Sequence, residues 1–166
     1  LLRTDYARLK PKQRVRAWVR LLVLAAGAES PAGPWRAVTL GRAQRDGAAR
    51  ATLTAPPPAA ARTLLTDLVA LHRAGLREPL PLAVQCAASY ANTRGGGGSP
   101  EAALSDALRQ WTGAIGEATD PAHVRVWGPR SDALTTQRGE AEPTRFGDLA
   151  VRLWGPLLRC EAVDFP

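Results

Sequence analysis

The stretch from Asp5 to Ala26, DYARLKPKQRVRAWVRLLVLAA, constrains the chain most, because it joins the densest basic charge to a periodic apolar face. Pro11 suits a first helical turn, where its φ is already helical and its missing N–H has no partner to lose. From there Val15, Trp18, Val19, Leu22 and Ala26 recur at helical spacing and predict one apolar stripe. Lys12, Arg16 and Arg20 lie four apart along its margin, while Arg8, Lys10 and Arg14 extend the charge towards the helix start. Such a row holds an oligonucleotide through its phosphates and reads no sequence. It serves as well as a solvated margin whose aliphatic stems cover the edge of a core.

A chain of 166 residues, 45% of them hydrophobic, is long enough to bury one domain's core without metals or disulfides. The net charge of +7 and isoelectric point near 10.6 favour nucleic acid or an acidic partner over an anionic small molecule. Lys10 and Lys12 are the only lysines, and the abundant Arg, Ala, Gly and Pro also read as the usage of a GC-rich genome. The two cysteines, Cys86 and Cys160, have no local pairing pattern and fit buried thiols in a reducing cytoplasm. The opening LLRTDYARLK lacks the apolar centre of a signal peptide, and the run Leu21 to Ala26 is too short to span a bilayer, so no membrane partner is expected. Opening on Leu1 rather than Met suggests a fragment of a longer chain.

In chain order, residues 1–6 read as a strand and the first helix as ending near Gly27, followed by a Ser/Pro/Gly loop over 29–34. WRAVTLGR (35–42) and ARATLTA (49–55) flank Asp46-Gly47 and predict a hairpin. Pro56 to Pro58 stop the second strand. A helix is then expected over 60–74, with Leu64, Leu65, Leu68, Val69 and Leu71 inward and Gly75 at its C-terminus. Leu82 to Cys86 is read as a buried strand, and GGGGS (95–99) as a flexible loop. Ser99-Pro100-Glu101 opens a helix with Leu104, Ala107, Leu108, Trp111 and Ile115 on one face. Residues 120–130 stay open between a strand around Val124 to Trp127 and a loop, and 130–143 are expected to be mobile. The last helix carries Phe146, Leu149, Ala150, Leu153, Trp154, Leu157 and Leu158 as its stripe, with a kink or break at Gly155-Pro156.

Little chemistry is available. His72, His123, Cys86 and Cys160 form no ligand-spacing motif, there is no GxSxG, and the glycines lack the Lys and Ser/Thr of a phosphate loop. Metal-dependent DNA cleavage on a restriction-nuclease core needs an acidic residue on one strand and a (D/E)xK pair on the next. No DxK or ExK occurs, and the hairpin strands carry no acidic residue. Of five tryptophans, Trp18, Trp111 and Trp154 fall on apolar helical stripes and read as core. Trp35, beside Arg36, and Trp127, near Arg125 and Arg130, are kept for a surface role. The candidate DNA-binding set is thus Lys10, Lys12, Arg14, Arg16, Arg20, Trp35 and Arg36, with no catalytic residue and no metal ligand.

The blocks YARLKPKQRVRAWVRLLVLAA (6–26), WRAVTLGR (35–42), LTDLVALHRAGLREPLPL (65–82) with SYA (89–91), DPAHVRVWG (120–128) and RFGDLAVRLWGPLL (145–158) resemble the C-terminal domain of RecC, in an actinobacterial style. RecC is the gamma subunit of exodeoxyribonuclease V, the RecBCD helicase-nuclease. The resemblance implies an α/β, restriction-endonuclease-like core with a small mixed sheet flanked by helices, catalytically inactive. Residues 1–166 would then be one nuclease-like domain at the end of a much longer subunit. It further implies a role in double-strand break repair by recombination, near the point of strand separation. The implied partners are RecB-like and RecD-like subunits, double-stranded DNA ends and forked DNA. No cofactor is implied for this chain; ATP and magnesium would be used by the partner subunits. A protein-interaction scaffold without DNA contact is the other reading.

Overall fold

The computed structural model describes residues 2–27, 34–43, 47–113, 116–128, 130 and 132–164, with the side chains of 2–7 left out. The expected loop over 29–34 except Pro34, the Asp46 half of the hairpin turn, and Ile115 lie outside the described residues. Two compact units are present, Leu1–Arg73 with Pro156–Pro166, and Ala74–Gly155.

The first unit is built on a four-stranded sheet. β1 (Leu2–Arg8) runs through α1 (Pro11–Gly27) into β2 (Arg36–Arg42), which pairs parallel to it. β3 (Ala48–Thr54) returns antiparallel, from Arg36 opposite Thr54 to Arg42 opposite Ala48, as the hairpin pattern predicts. β4 (Glu161–Asp164), which the sequence did not announce, adds antiparallel to β3, giving the order β1-β2-β3-β4. Ala37 and Thr39 on β2, and Ala49, Ala51 and Leu53 on β3, are buried at period two. These mostly small side chains leave room for α1, whose Trp18, Leu21 and Leu22 are at most 1% exposed. Each leucine so buried contributes roughly 2 kcal/mol.

The face α1 buries differs from the predicted stripe. Ala17, Trp18, Leu21, Leu22 and Ala25 face inward, while Val19, Val23 and Leu24 are exposed. Residues 15–26 are almost continuously apolar, so periodicity alone does not single out one face. α2 (Pro58–Arg77) starts on the third proline and runs past Gly75; Ala61 and Leu71 are buried, Leu64, Leu65 and Leu68 half-buried, and Val69 exposed.

In the second unit, α3 (Val84–Gly95) replaces the strand expected over 82–86. Cys86, Ala87, Tyr90 and Ala91 are buried at helical spacing, and α3 packs on α4 (Pro100–Thr112), whose Ala103 and Ala107 are fully buried. Small residues on both helices let the backbones approach, which a short apolar run does not reveal. GGGGS is a hydrogen-bonded turn rather than a slack linker. The Gly96, Gly97 and Gly98 N–H groups donate to the Asn92, Arg94 and Thr93 carbonyls, and Gly97 adopts φ 85°. A Cβ on Gly98 would lie 2.9 Å from the Thr93 carbonyl oxygen. Ser99 then caps α4, as expected, accepting from Ala102 N–H at 3.2 Å.

Residues 121–127 are neither strand nor loop. Asp120 caps α5 (Pro121–Trp127) by accepting from Ala122 N–H at 2.8 Å, with Pro121 in the first turn. The segment expected to be mobile contains α6 (Asp132–Thr135) and a loop closed by an Arg138–Thr144 bridge. That loop wraps a carboxylate: Ala141 and Glu142 N–H groups donate to Asp148 Oδ1 at 3.1 and 2.7 Å, and Glu140 N–H to Oδ2. α7 (Arg145–Arg159) buries Phe146, Leu149, Ala150, Trp154 and Leu157 as predicted, with Leu153 and Leu158 half-buried. Where a kink or break was expected, at Gly155-Pro156, the helix continues unbroken. The ring removes one helical hydrogen bond, and the fully buried Leu157 holds the last turn in place.

Candidate nucleic-acid interface

By sequence, the first unit holds 14 of the 22 basic residues and 6 of the 15 acidic ones, and the second holds 8 and 9. Formal charge is therefore +8 against −1, and the chain's entire positive excess lies on the unit that carries α1. α1 has no acidic residue in its first turn, where carboxylates would match the helix dipole. Lys12 and Arg14 stand there instead, with Lys10 just before. This arrangement works against helix stability.

Lys10, Lys12, Arg16 and Arg20 are all exposed. The four-residue spacing places Lys12, Arg16 and Arg20 in one row about 12 Å long. Arg14 is set apart from them. Its side chain is 12% exposed and its Nε–H is directed at both carboxylate oxygens of Glu161, whose own side chain is 2% exposed. The inward rotation of α1 explains this, since Arg14 precedes Trp18 by one turn on the buried face. Trp35, 44% exposed, and Arg36 open β2. The hairpin register brings Trp35 beside Ala55, whose N–H donates to the Trp35 carbonyl at 2.8 Å.

Trp127 belongs to the other unit. It is half-buried on a small cleft with Trp111, His123 and Leu134. His123 stacks on Trp111 with centroids 5.8 Å apart, and its Nδ1 lies 3.0 Å from the Glu117 carbonyl. The Trp18, Trp111 and Trp154 rings are buried, as their stripes predict.

Two residues escaped the sequence reading. Arg62 is exposed on α2 and donates to the Ala26 carbonyl at the end of α1, at 2.7 Å. Glu117 is buried and accepts from the Gln85 and Cys86 N–H groups at 3.0 and 2.9 Å, capping α3 from 31 positions away. No local pattern announces such a partner.

Neither thiol is set up as a nucleophile. Burial, then the Glu117 charge, pushes Cys86 up, and burial raises Cys160 against the opposing Arg159. Among the described residues, no three His, Cys, Asp or Glu side chains gather as a metal site, and no helix is long and apolar enough to cross a membrane.

The family model described as the RecC C-terminal domain matches residues 1–95, which contain the whole β1-α1-β2-β3 unit and the basic row. The chain belongs to the RecC C-terminal domain family. It is 38% identical over 164 residues to the RecBCD enzyme subunit RecC of Mycobacterium tuberculosis, covering 94% of this chain. It is also 38% identical over 168 residues to the RecBCD enzyme subunit RecC of Mycolicibacterium smegmatis, covering 97%. The chain spans 15% of the length of each of these relatives.

Proposed function

We propose that this chain is a non-catalytic DNA-processing domain of a RecC subunit, working in a cytoplasmic RecBCD-type exodeoxyribonuclease V during double-strand break repair by recombination. Lys10, Lys12, Arg16 and Arg20 track phosphates near the point of strand separation, and other surfaces dock RecB-like and RecD-like subunits that use ATP and magnesium. In this reading the sheet with α1 descends from a restriction-endonuclease-like core whose (D/E)xK lysine and metal carboxylates have been lost, so the chain cleaves nothing itself.

The observation that carries the reading is the +8 formal charge of the first unit, with exposed Lys10 and Lys12 at the start of α1 and an exposed four-apart row. Anisotropy of a labelled forked duplex, titrated at low and physiological salt, tests it. Binding should weaken with salt and be lost when Lys10, Lys12, Arg16 and Arg20 are all changed to Ala.

The scaffold reading draws on exposed apolar side chains of the second unit, Leu76 at 74% and Val126 at 51%. It predicts no binding of forked DNA at either salt, together with retention of partner subunits by the chain.

A further inference from the structure

The first unit contains a cleft of about 160 Å³ lined by Ala25, Pro34, Trp35, Ala55 and Pro56–Pro58. That is room for about five waters at ~30 Å³ each. Its side chains are carbon except for the indole nitrogen. Its backbone offers few donors, because the prolines have no N–H and the Ala55 N–H is already bound to the Trp35 carbonyl. An occupant therefore gains flat apolar contact and little directional hydrogen bonding.

A positive side chain stands beside the cleft. Arg62 lies one turn beyond the cleft residue Pro58 on the same face of α2. The Arg62 bond to Ala26, the neighbour of the cleft residue Ala25, uses one of its five N–H donors, and the side chain is exposed. Arg20 precedes Ala25 by five residues, about 7.5 Å along the helix axis.

An aromatic face in a cleft beside Arg62, on a unit of charge +8, suits a group that is planar, apolar on its faces and tethered to an anion. We propose that the cleft takes one unpaired nucleobase of a DNA strand, stacked on Trp35, with the flanking phosphates at Arg62 and the α1 row. The proposal rests on the DNA-contact reading and adds to it a preference for unpaired over paired strands. Stacking of this kind is sequence-tolerant, since every base presents a π face. An apolar side chain of a protein partner would fill the space as well, but would make no use of the exposed Arg62 charge or of the +8 of this unit.

The test uses the whole chain with labelled oligothymidylate, a blunt duplex of the same length, and an oligothymidylate carrying abasic residues. Trp35→Ala should weaken single-strand binding about tenfold, the effect of losing one stacked base, and change duplex binding less than about twofold. Trp35→Phe should stay within about threefold of the parent, because a phenyl ring still stacks. The abasic strand should bind parent and Trp35→Ala alike. Thermal unfolding by circular dichroism verifies that both variants are folded.

Equal loss on single strand and duplex, or no loss on either, overturns the base cleft; if removal of the α1 row still abolishes binding, the phosphate reading survives. Absence of DNA binding by the parent chain overturns both. Loss of a co-purifying subunit in Trp35→Ala at unchanged DNA affinity assigns the cleft to protein contact and overturns the proposal.

Discussion

Arg14 on α1 donates its Nε–H to both carboxylate oxygens of Glu161 on β4, at 2.8 and 3.0 Å, across 147 positions of sequence. A second donor, Nη2, reaches Glu161 Oε2. The pair ties the basic helix α1 to the last strand of the sheet, and it separates a structural arginine from the exposed row beside it.

Removing one partner strands a buried charge. Arg14→Ala should destabilise the chain by about 3–5 kcal/mol, whereas the double change Arg14→Met with Glu161→Leu should recover most of the loss. Urea unfolding of the two singles and the double reads this as a coupling energy. Arg14→Lys, which keeps the charge and loses the bidentate fit, should lower stability while leaving the salt dependence of DNA binding unchanged.

The exposed row should behave in the opposite way. Changing Lys12, Arg16 and Arg20 to Ala should alter stability by about 0.5 kcal/mol or less per site. If all three contact phosphates, the slope of log K against log salt should become shallower by about 3. Anisotropy titrations over a salt series measure the slope directly. An unchanged slope with unchanged affinity removes the row from the interface.

Asp148 is opposed by burial, but the backbone N–H groups of Glu140, Glu142 and Ala141 outweigh that and hold its carboxyl below the usual range. Its folded-state pKa lies below the unfolded value of about 3.9. The charged form therefore supports folding fully above that value, and the support fades as pH falls through the folded pKa. Asp148→Asn should cost about 1–3 kcal/mol at neutral pH and flatten the acid limb of a stability-against-pH curve.

Gly147 has no room for a side chain. A Cβ there would lie 2.7 Å from the Tyr90 hydroxyl oxygen and 2.9 Å from Glu142 Cβ. Tyr90 is fixed by donating to Glu142 at 2.8 Å and by an edge-on contact with Phe146, with ring centroids 5.5 Å apart. Gly147→Ala should cost about 1–3 kcal/mol. Adding Tyr90→Phe should restore part of it, since Glu142 keeps its Arg94 ion pair at 3.0 Å. Thermal melts of the single and double variants suffice.

Local rules located most of the helices and the hairpin. Pro11 starts α1, Ser99 caps α4, and the α7 stripe from Phe146 to Leu157 is buried as its spacing requires. They failed at α3, where Ala and Cys at helical spacing resemble a short strand until α4 is packed against them. They failed again at residues 137–144, whose polar composition conceals a loop wrapped around Asp148. Of the candidate interface, the exposure of Lys10, Lys12, Arg16 and Arg20 was legible from their place beside an apolar stripe. The separate role of Arg14 was not.

What the sequence determined by itself is what i, i+3 and i, i+4 spacing, proline geometry and side-chain capping encode within a few residues: a basic amphipathic first helix, a hairpin, and the absence of a (D/E)xK pair. Only the tertiary structure decided which face of α1 is buried, because a nearly continuous apolar run offers several faces of similar hydrophobicity. The choice fell to partners far along the chain, the small residues of β2 and β3 and the carboxylate of Glu161 on β4. A buried guanidinium is tolerated only where a carboxylate meets it, so Arg14 became structural while Lys12, Arg16 and Arg20 stayed in water.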